Sequence, residues 1–284
     1  MSSTPDTSRS NNSAAGHVRV GIGGWTFEPW RDNFFPKGLP HAKELGYASR
    51  RLTAIEINGT YYSTMTPKSF AKWHDETPDD FVFSMKANRF ATNRRVLAEA
   101  GESIARFIGS GLVELGPKLG PVVWQFMPTK QFDPVDFEAF LKLLPGTVGG
   151  LPLRHVMDVR HASFMCAEYL ALARKYRCAS VFADSDKFPC FADVTGDFVY
   201  ARLMRSNADL LTGYAPDLLE RWADVAQTWA RGETPEGAPL VEAAVATSSG
   251  PRDVFVYFIN GAKERAPAAA QTMLKHLGFT PPQA

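Results

Sequence analysis

No apolar run in this 284-residue chain approaches the roughly 20 residues that a transmembrane helix requires. Cysteine is scarce: Cys166, Cys178 and Cys190 are an odd number, and none forms a Cys-x-x-Cys pair. That excludes a disulfide framework and a thiolate zinc site, reads each cysteine as a small core residue, and points to a reducing cytoplasm. Net charge is nearly absent, with 31 basic against 30 acidic residues. Nothing global therefore draws the chain to nucleic acid or to a membrane surface. There is no His-Glu-x-x-His and no dense histidine cluster among the six histidines. GIGGWTF (21–27) lacks the third glycine of a dinucleotide-binding turn. Residues 1–16 lack the apolar core of a signal peptide and read as a disordered tail, and 279–284 as a short C-terminal tail.

What is present is a repeated pattern. Apolar runs rich in Val, Ile and Phe over 18–23, 53–58, 81–86, 121–126, 154–159, 179–184, 197–203 and 253–258 read as buried strands. Helical stretches over 40–51, 67–76, 94–114, 134–144, 165–176, 215–230 and 265–277 fall between most of them; little helical character separates the sixth strand from the seventh. Eight strands alternating with helices predict an α/β fold, a single-domain (β/α)₈ TIM-type barrel over 17–278, with a doubly wound open sheet as the alternative. The long loop over 25–39, with Trp25, Phe27, Trp30, Phe34 and Phe35, fits either a lid at the barrel mouth or a small satellite core. Residues 231–252 fall on the opposite, stability face, and their Gly, Pro, Ser and Ala content predicts mobility.

The strands keep ending on polar side chains. Glu56 and Asn58, Lys86, Gln125, Asp158 with Arg160 and His161, Asp184, and Arg202 close six successive strands. A strand buried on both faces should be apolar throughout, whereas a barrel active site draws its residues from the carboxyl ends of several strands. Asp158 and Arg160 lie two apart and so share one face of their strand. Glu56, Asp158, His161 and Asp184 supply carboxylates and an imidazole for acid/base catalysis. The same set can hold a divalent cation, although the reading assigns no cofactor. Lys86, Arg89, Arg160 and Arg202 suit a phosphate- or carboxylate-bearing ligand. A lysine or arginine inside a barrel also needs an anionic partner.

These residues carry a resemblance. Gly24-Trp25 with Trp30, Glu56-Ile57-Asn58 with Thr60 and Tyr62, Lys86 with Arg89 and Thr92, Gly120-Pro121 with Gln125, Asp158-x-Arg160-His161, Ala183-Asp184 and Tyr257-Phe258 resemble, in order, the signatures of the YecE-like family (domain of unknown function 72). The resemblance implies a TIM-type barrel and no particular activity. It also exposes departures. The family usually has Glu at Asp158, His at Asn93 and His-Gly at Met204-Arg205, and its Asn-Asn-Asp-like end of strand eight reads Ile259-Asn260-Gly261 here. Two proton-transfer groups are thereby absent.

The expected function is a cytoplasmic barrel enzyme, a hydrolase, isomerase or lyase, acting on a small anionic substrate. Glu56, Asp158, His161 and Asp184 are the catalytic candidates. Trp25, Asn58, Lys86, Arg89, Gln125, Arg160, Arg202 and Asn260 are the candidates for binding it. The alternatives are a metal-assisted phosphoesterase acting on nucleic acid and a non-catalytic ligand-binding barrel. The expected partner is a small anionic ligand, with neither nucleic acid nor membrane, and the sequence bears no mark of an oligomeric state.

Overall fold

A computed structural model describes residues 15–242 and 250–281. Eight parallel strands close into a barrel: β1 (Val18–Gly23), β2 (Ala54–Ile57), β3 (Val82–Lys86), β4 (Leu119–Gln125), β5 (His155–Asp158), β6 (Ala179–Asp184), β7 (Phe198–Leu203) and β8 (Asp253–Phe258), with β8 returning to pair with β1. Helices α1 (Glu44–Ala48), α2 (Pro67–Glu76), α3 (Gly101–Ile108), α4 (Pro134–Lys142), α5 (Ala167–Lys175), α6 (Pro216–Ala230) and α7 (Ala266–His276) connect the strands, and none lies between β6 and β7. This is the barrel expected from the alternation, and the open sheet is set aside. Among the described residues no helix is long and apolar enough to cross a membrane. Residues 1–14, 243–249 and 282–284 lie outside the described part, so the expectations for the tails and for 231–252 fall partly there.

The core has two layers, as period-two alternation requires. Outward side chains such as Ile22, Ile55, Phe83, Trp124 and Met157 pack beneath the helices. Inward ones, including Val123, Val156, Phe198, Tyr200, Phe255 and Tyr257, fill the barrel. Tyr200 and Tyr257 lean on each other at 5.1 Å. Nearer the amino-terminal end, Arg154 lies over Phe255 at 4.8 Å and pairs with Asp253 at 2.8 Å. The barrel is therefore plugged below and open to polar chemistry only above. His155, early in β5, is buried; its Nδ1 accepts from the Trp124 indole at 3.0 Å.

Two elements differ from expectation. The helix expected over 94–114 is broken into a 3₁₀ turn at Leu97–Glu99, α3, and a second 3₁₀ stretch at Leu112–Lys118. Gly111 interrupts it at φ +115, packed so tightly on Pro67 that a Cβ would approach its Cα to 2.6 Å. A small hairpin, Thr147–Val148 with Leu151–Pro152, turns on Gly149-Gly150, both at positive φ, a strong hairpin signal that the strand reading passed over.

The 25–39 loop is mainly a satellite core. Trp30 is 0% exposed, and Phe34 and Phe35 are buried, with Tyr47 of α1 packed edge-on to both. Trp30 donates its indole N–H to the Lys263 carbonyl at 2.9 Å, tying this loop to the turn that follows β8.

Candidate functional site

At the carboxyl end of the barrel, Glu56, Asp158 and Arg202 meet in a fully buried cluster. All three guanidinium nitrogens of Arg202 are engaged: Nε and Nη2 donate to Glu56, and Nη1 donates to Asp158 at 2.7 Å. Tyr200, two residues before Arg202 and on the same face, donates its hydroxyl to Glu56 Oε2 at 2.7 Å. Burial first, and then the Glu56 charge, push the Tyr200 phenol well above its ordinary range, so it remains a donor. Ser84 Oγ lies 2.8 Å from the same hydroxyl. Arg160 donates to Asp158 Oδ2 at 2.9 Å and to Gln125 Oε1 at 2.7 Å, and its guanidinium stacks on Phe188. Burial opposes the charge on Arg202, but Glu56 and Asp158 more than offset it and hold the group firmly protonated.

Above this cluster lies a cavity of about 410 Å³, lined by Lys86, Arg160, Arg202 and Lys263, the amides Asn58, Gln125 and Asn260, and the apolar or aromatic Trp30, Tyr62, Phe258 and Ile259. A larger groove of about 650 Å³ lies by α1, between Tyr47, Arg51 and Glu76; no strand-end residue faces it. Local bonding aims the cavity side chains. Thr60 donates to the Lys86 carbonyl at 2.7 Å, and Thr92 to the Gln125 carbonyl at 2.6 Å. Gly23 leaves room for Asn58, whose amide nitrogen would stand 2.9 Å from an added Cβ. Asn260 adopts φ +64, a left-handed conformation that asparagine tolerates.

Lys86 is the unusual member. It is 8% exposed, and among the described residues its ammonium has no hydrogen bond or ion pair, only the face of Tyr61 at 4.4 Å. Burial first, and then the neighbouring Arg202 charge, lower its pKa to about 8, with Glu56 and Asp158 pulling the other way. Below pH 8 both the folded and the unfolded chain carry this proton. Between about 8 and 10.5 only the unfolded chain does, so stability rises with pH across that window. Lys86→Met should therefore stabilise the protein at pH 7 by up to about 3 kcal/mol, from 1.36 kcal/mol per pKa unit. The gain should shrink above pH 8. Urea denaturation at pH 7 and pH 10 checks this, and equal stabilities of the two proteins at pH 7 would contradict it.

The remaining predicted residues are placed differently. His161 caps the turn Ala162–Phe164, its Nδ1 accepting from the Ser163 amide at 3.1 Å. Asp184 pairs with Arg205 at 3.1 Å. Trp25 packs edge-on against Trp73, and Arg89 is exposed beside Tyr62 and Phe90. None of these four lines the cavity. Of the carboxylates and imidazole considered for a cation, Glu56 and Asp158 share Arg202 while His161 and Asp184 bond elsewhere, and among the described residues no group of three His, Cys, Asp or Glu side chains is placed to hold one. Sequence reasoning did not select Tyr200, Ser84 or Lys263. For Tyr200 the signal was available, because it shares a face with Arg202; for Lys263, in the turn after β8, it was not. Met204 and Ile259, at two of the family departures, pack against the inner core.

Comparison with known proteins agrees with this architecture. A DUF72 family protein of Thermotoga maritima MSB8 superposes with a TM-score of 0.70 at 21% identity, covering 92% of this chain and 99% of that one. One from Enterococcus faecalis V583 gives 0.66 at 17% identity, covering 95% and 100%. SacUVDE gives 0.52 at 10% identity, covering 92% and 99%, a likeness of fold alone. In sequence, the UPF0759 protein YecE of Escherichia coli K12 is 26% identical over 150 residues, 52% of this chain and 50% of that protein. The UPF0759 protein YunF of Bacillus subtilis 168 is 26% identical over 116 residues, 39% and 40%. The chain thus matches about half the length of YecE. The family described as "Protein of unknown function DUF72" matches residues 19–284, nearly all of the chain. This protein, a parallel barrel with a cation-lined mouth, therefore belongs to the DUF72 family.

Proposed function

We propose that the cavity is the active site of an enzyme acting on a small anionic substrate, with Lys86 as the proton-transfer group. One observation carries the reading. The lining contributes four cations, Lys86, Arg160, Arg202 and Lys263, and no carboxylate. Glu56 and Asp158 beneath offset two of those charges, leaving an excess of two. Neither Lys86 nor Lys263 has an ion pair or side-chain hydrogen bond among the described residues; Lys263 lies over Phe27 at 4.3 Å. Cations held in a low-dielectric cavity without an internal anion favour a carboxylate or phosphate from outside. Glu56 and Asp158 are engaged by Arg202 and do not line the cavity, whereas an amine titrating near pH 8 that does line it suits acid/base work. The three free cysteines fit a reducing compartment, and we place the reaction in the cytoplasm.

Phosphate should raise the melting temperature by mass action. At 100 times its Kd the stabilisation is about 2.7 kcal/mol. Lys263→Met should weaken binding about tenfold, the loss of one charge-assisted hydrogen bond. Equal thermal shifts for wild type and Lys263→Met, or no shift with phosphate, would overturn the reading.

Nucleic acid is not expected to bind. Arg94, in the basic loop after β3, already donates to the Phe90 carbonyl and to Ser103. Neither duplex nor single strand should bind at physiological salt. Micromolar binding with a log–log salt slope of about −0.9 per phosphate, lost in Arg94→Ala/Arg95→Ala, would contradict this.

A further inference from the structure

The anionic-substrate reading leaves open why a lysine, rather than a second arginine, ends β3. For holding an anion alone the better residue is arginine, whose planar fork stays charged and binds carboxylate or phosphate at two points. The mouth already has such a group in Arg160, oriented by Asp158 and Gln125. Lysine offers what arginine does not: an amine that loses its proton and becomes a nucleophile. Two conditions favour that, desolvation and a neighbouring cation, and both hold at Lys86. It is buried, it lines the cavity, its nitrogen has no hydrogen-bond partner among the described residues, and Arg202 and Arg160 stand nearby.

Resting on the anion-site reading, we propose that Lys86 forms an imine with a carbonyl compound that carries a carboxylate or a phosphate. The anionic group sits at Arg160 and Lys263, and the carbonyl carbon faces the Lys86 nitrogen. The step balances without a further reactant. The ammonium gives up one proton, and the free amine attacks the carbonyl carbon, forming the C–N bond. A second hydrogen passes from nitrogen to oxygen to give the carbinolamine. The proton first released then joins the departing hydroxyl as water, leaving a protonated imine. Charge is conserved, one positive charge before and one after. That charge next to the former carbonyl carbon is an electron sink, which suits isomerisation or carbon–carbon cleavage at the adjacent carbon. The Tyr61 ring against the nitrogen is placed to stabilise the cation once formed.

Reductive trapping tests this on the full chain. The protein is incubated with sodium cyanoborohydride and one of three aldehydes: glyoxylate, glycolaldehyde phosphate, or neutral propanal. Adducts are located by peptide mass spectrometry. With a pKa of about 8, Lys86 has roughly a two-hundredfold larger free-amine fraction at pH 7.5 than a lysine at 10.5. Expected is one dominant adduct at Lys86, formed at least tenfold faster with one of the anionic aldehydes than with propanal. Its formation should be slowed by excess inorganic phosphate and should rise with pH towards a plateau above 8. The faster of the two anionic aldehydes distinguishes a carboxylate from a phosphate substrate. Lys86→Arg should abolish the dominant adduct while the slow background on surface lysines persists. Adducts distributed over surface lysines with none favoured at Lys86, or propanal reacting as fast as both anions, would overturn the proposal even without a variant. If phosphate stabilises the protein yet Lys86 is not modified, imine chemistry is lost and the anion site stands. If phosphate neither stabilises the protein nor slows trapping, the anion-site reading falls with it.

Discussion

Arg202→Met should destabilise the protein by about 3–5 kcal/mol, the usual cost of removing one partner from a buried ion pair. The variant strips the cation that Glu56 and Asp158 share, and the two carboxylates are 0% and 2% exposed. Asp158 retains Arg160, and Glu56 retains the Tyr200 hydroxyl, but the Glu56 charge then has no ion-pair partner among the described residues. Neutralising the carboxylates as well, in Glu56→Gln/Asp158→Asn/Arg202→Met, should recover most of the loss, because a buried ion cluster is costly chiefly when incomplete. Chemical denaturation gives both numbers. A loss below about 1 kcal/mol in Arg202→Met, in the range of an exposed pair, would show that the cluster is not the closed, buried unit described. Asp158→Asn should cost less than Arg202→Met, since Arg202 keeps Glu56.

Trp30→Ala should also cost about 3–5 kcal/mol, as expected for truncating a fully buried tryptophan. Trp30 packs edge-on against Phe27 and Phe34 and is among the residues that line the cavity. Its indole hydrogen bond fixes the backbone of Lys263, so phosphate affinity should fall together with stability. Trp25→Ala, at a half-buried position away from the cavity, should cost less and leave phosphate affinity unchanged. If Trp30→Ala lost binding but not stability, the loop would be a lid over the cavity rather than the small core on which one wall of the cavity rests.

These two positions show what the sequence revealed. All eight barrel strands were legible because a strand buried on both faces is a continuous apolar run, and each is bounded by polar or glycine-rich turns. The helices were less legible near 94–114, where Gly111, at φ +115, breaks a pattern whose apolar spacing alone reads as continuous. The mouth was legible to the extent that charged residues at strand ends are anomalous: Glu56, Lys86, Asp158, Arg160 and Arg202 were all visible and do gather. Their partnerships were not. Whether Arg202 binds a ligand or two carboxylates depends on which side chains the barrel's closure brings opposite one another, Glu56 from β2 and Asp158 from β5. His161 and Asp184 satisfied the same strand-end rule, yet their side chains turn to Ser163 and Arg205. A local hydrogen bond at the first loop residue, for His161, and an ion pair from the next strand's loop, for Asp184, thus keep these strand-end groups from lining the cavity. Lys263 lies one step further along the chain, in a turn, where no periodicity marks it.

The central claim, that an unpaired and partly desolvated lysine faces an anion-binding cavity, is tested most directly by titrating Lys86 itself. The protein labelled at lysine Cε is followed by NMR from pH 6 upward, with Lys86→Arg identifying the signal. The account predicts a midpoint near 8 for Lys86 in the absence of ligand. With saturating phosphate the midpoint should rise, because an anion beside the ammonium favours its charged form. A Lys86 midpoint near the ordinary 10.5, unmoved by phosphate, would contradict it.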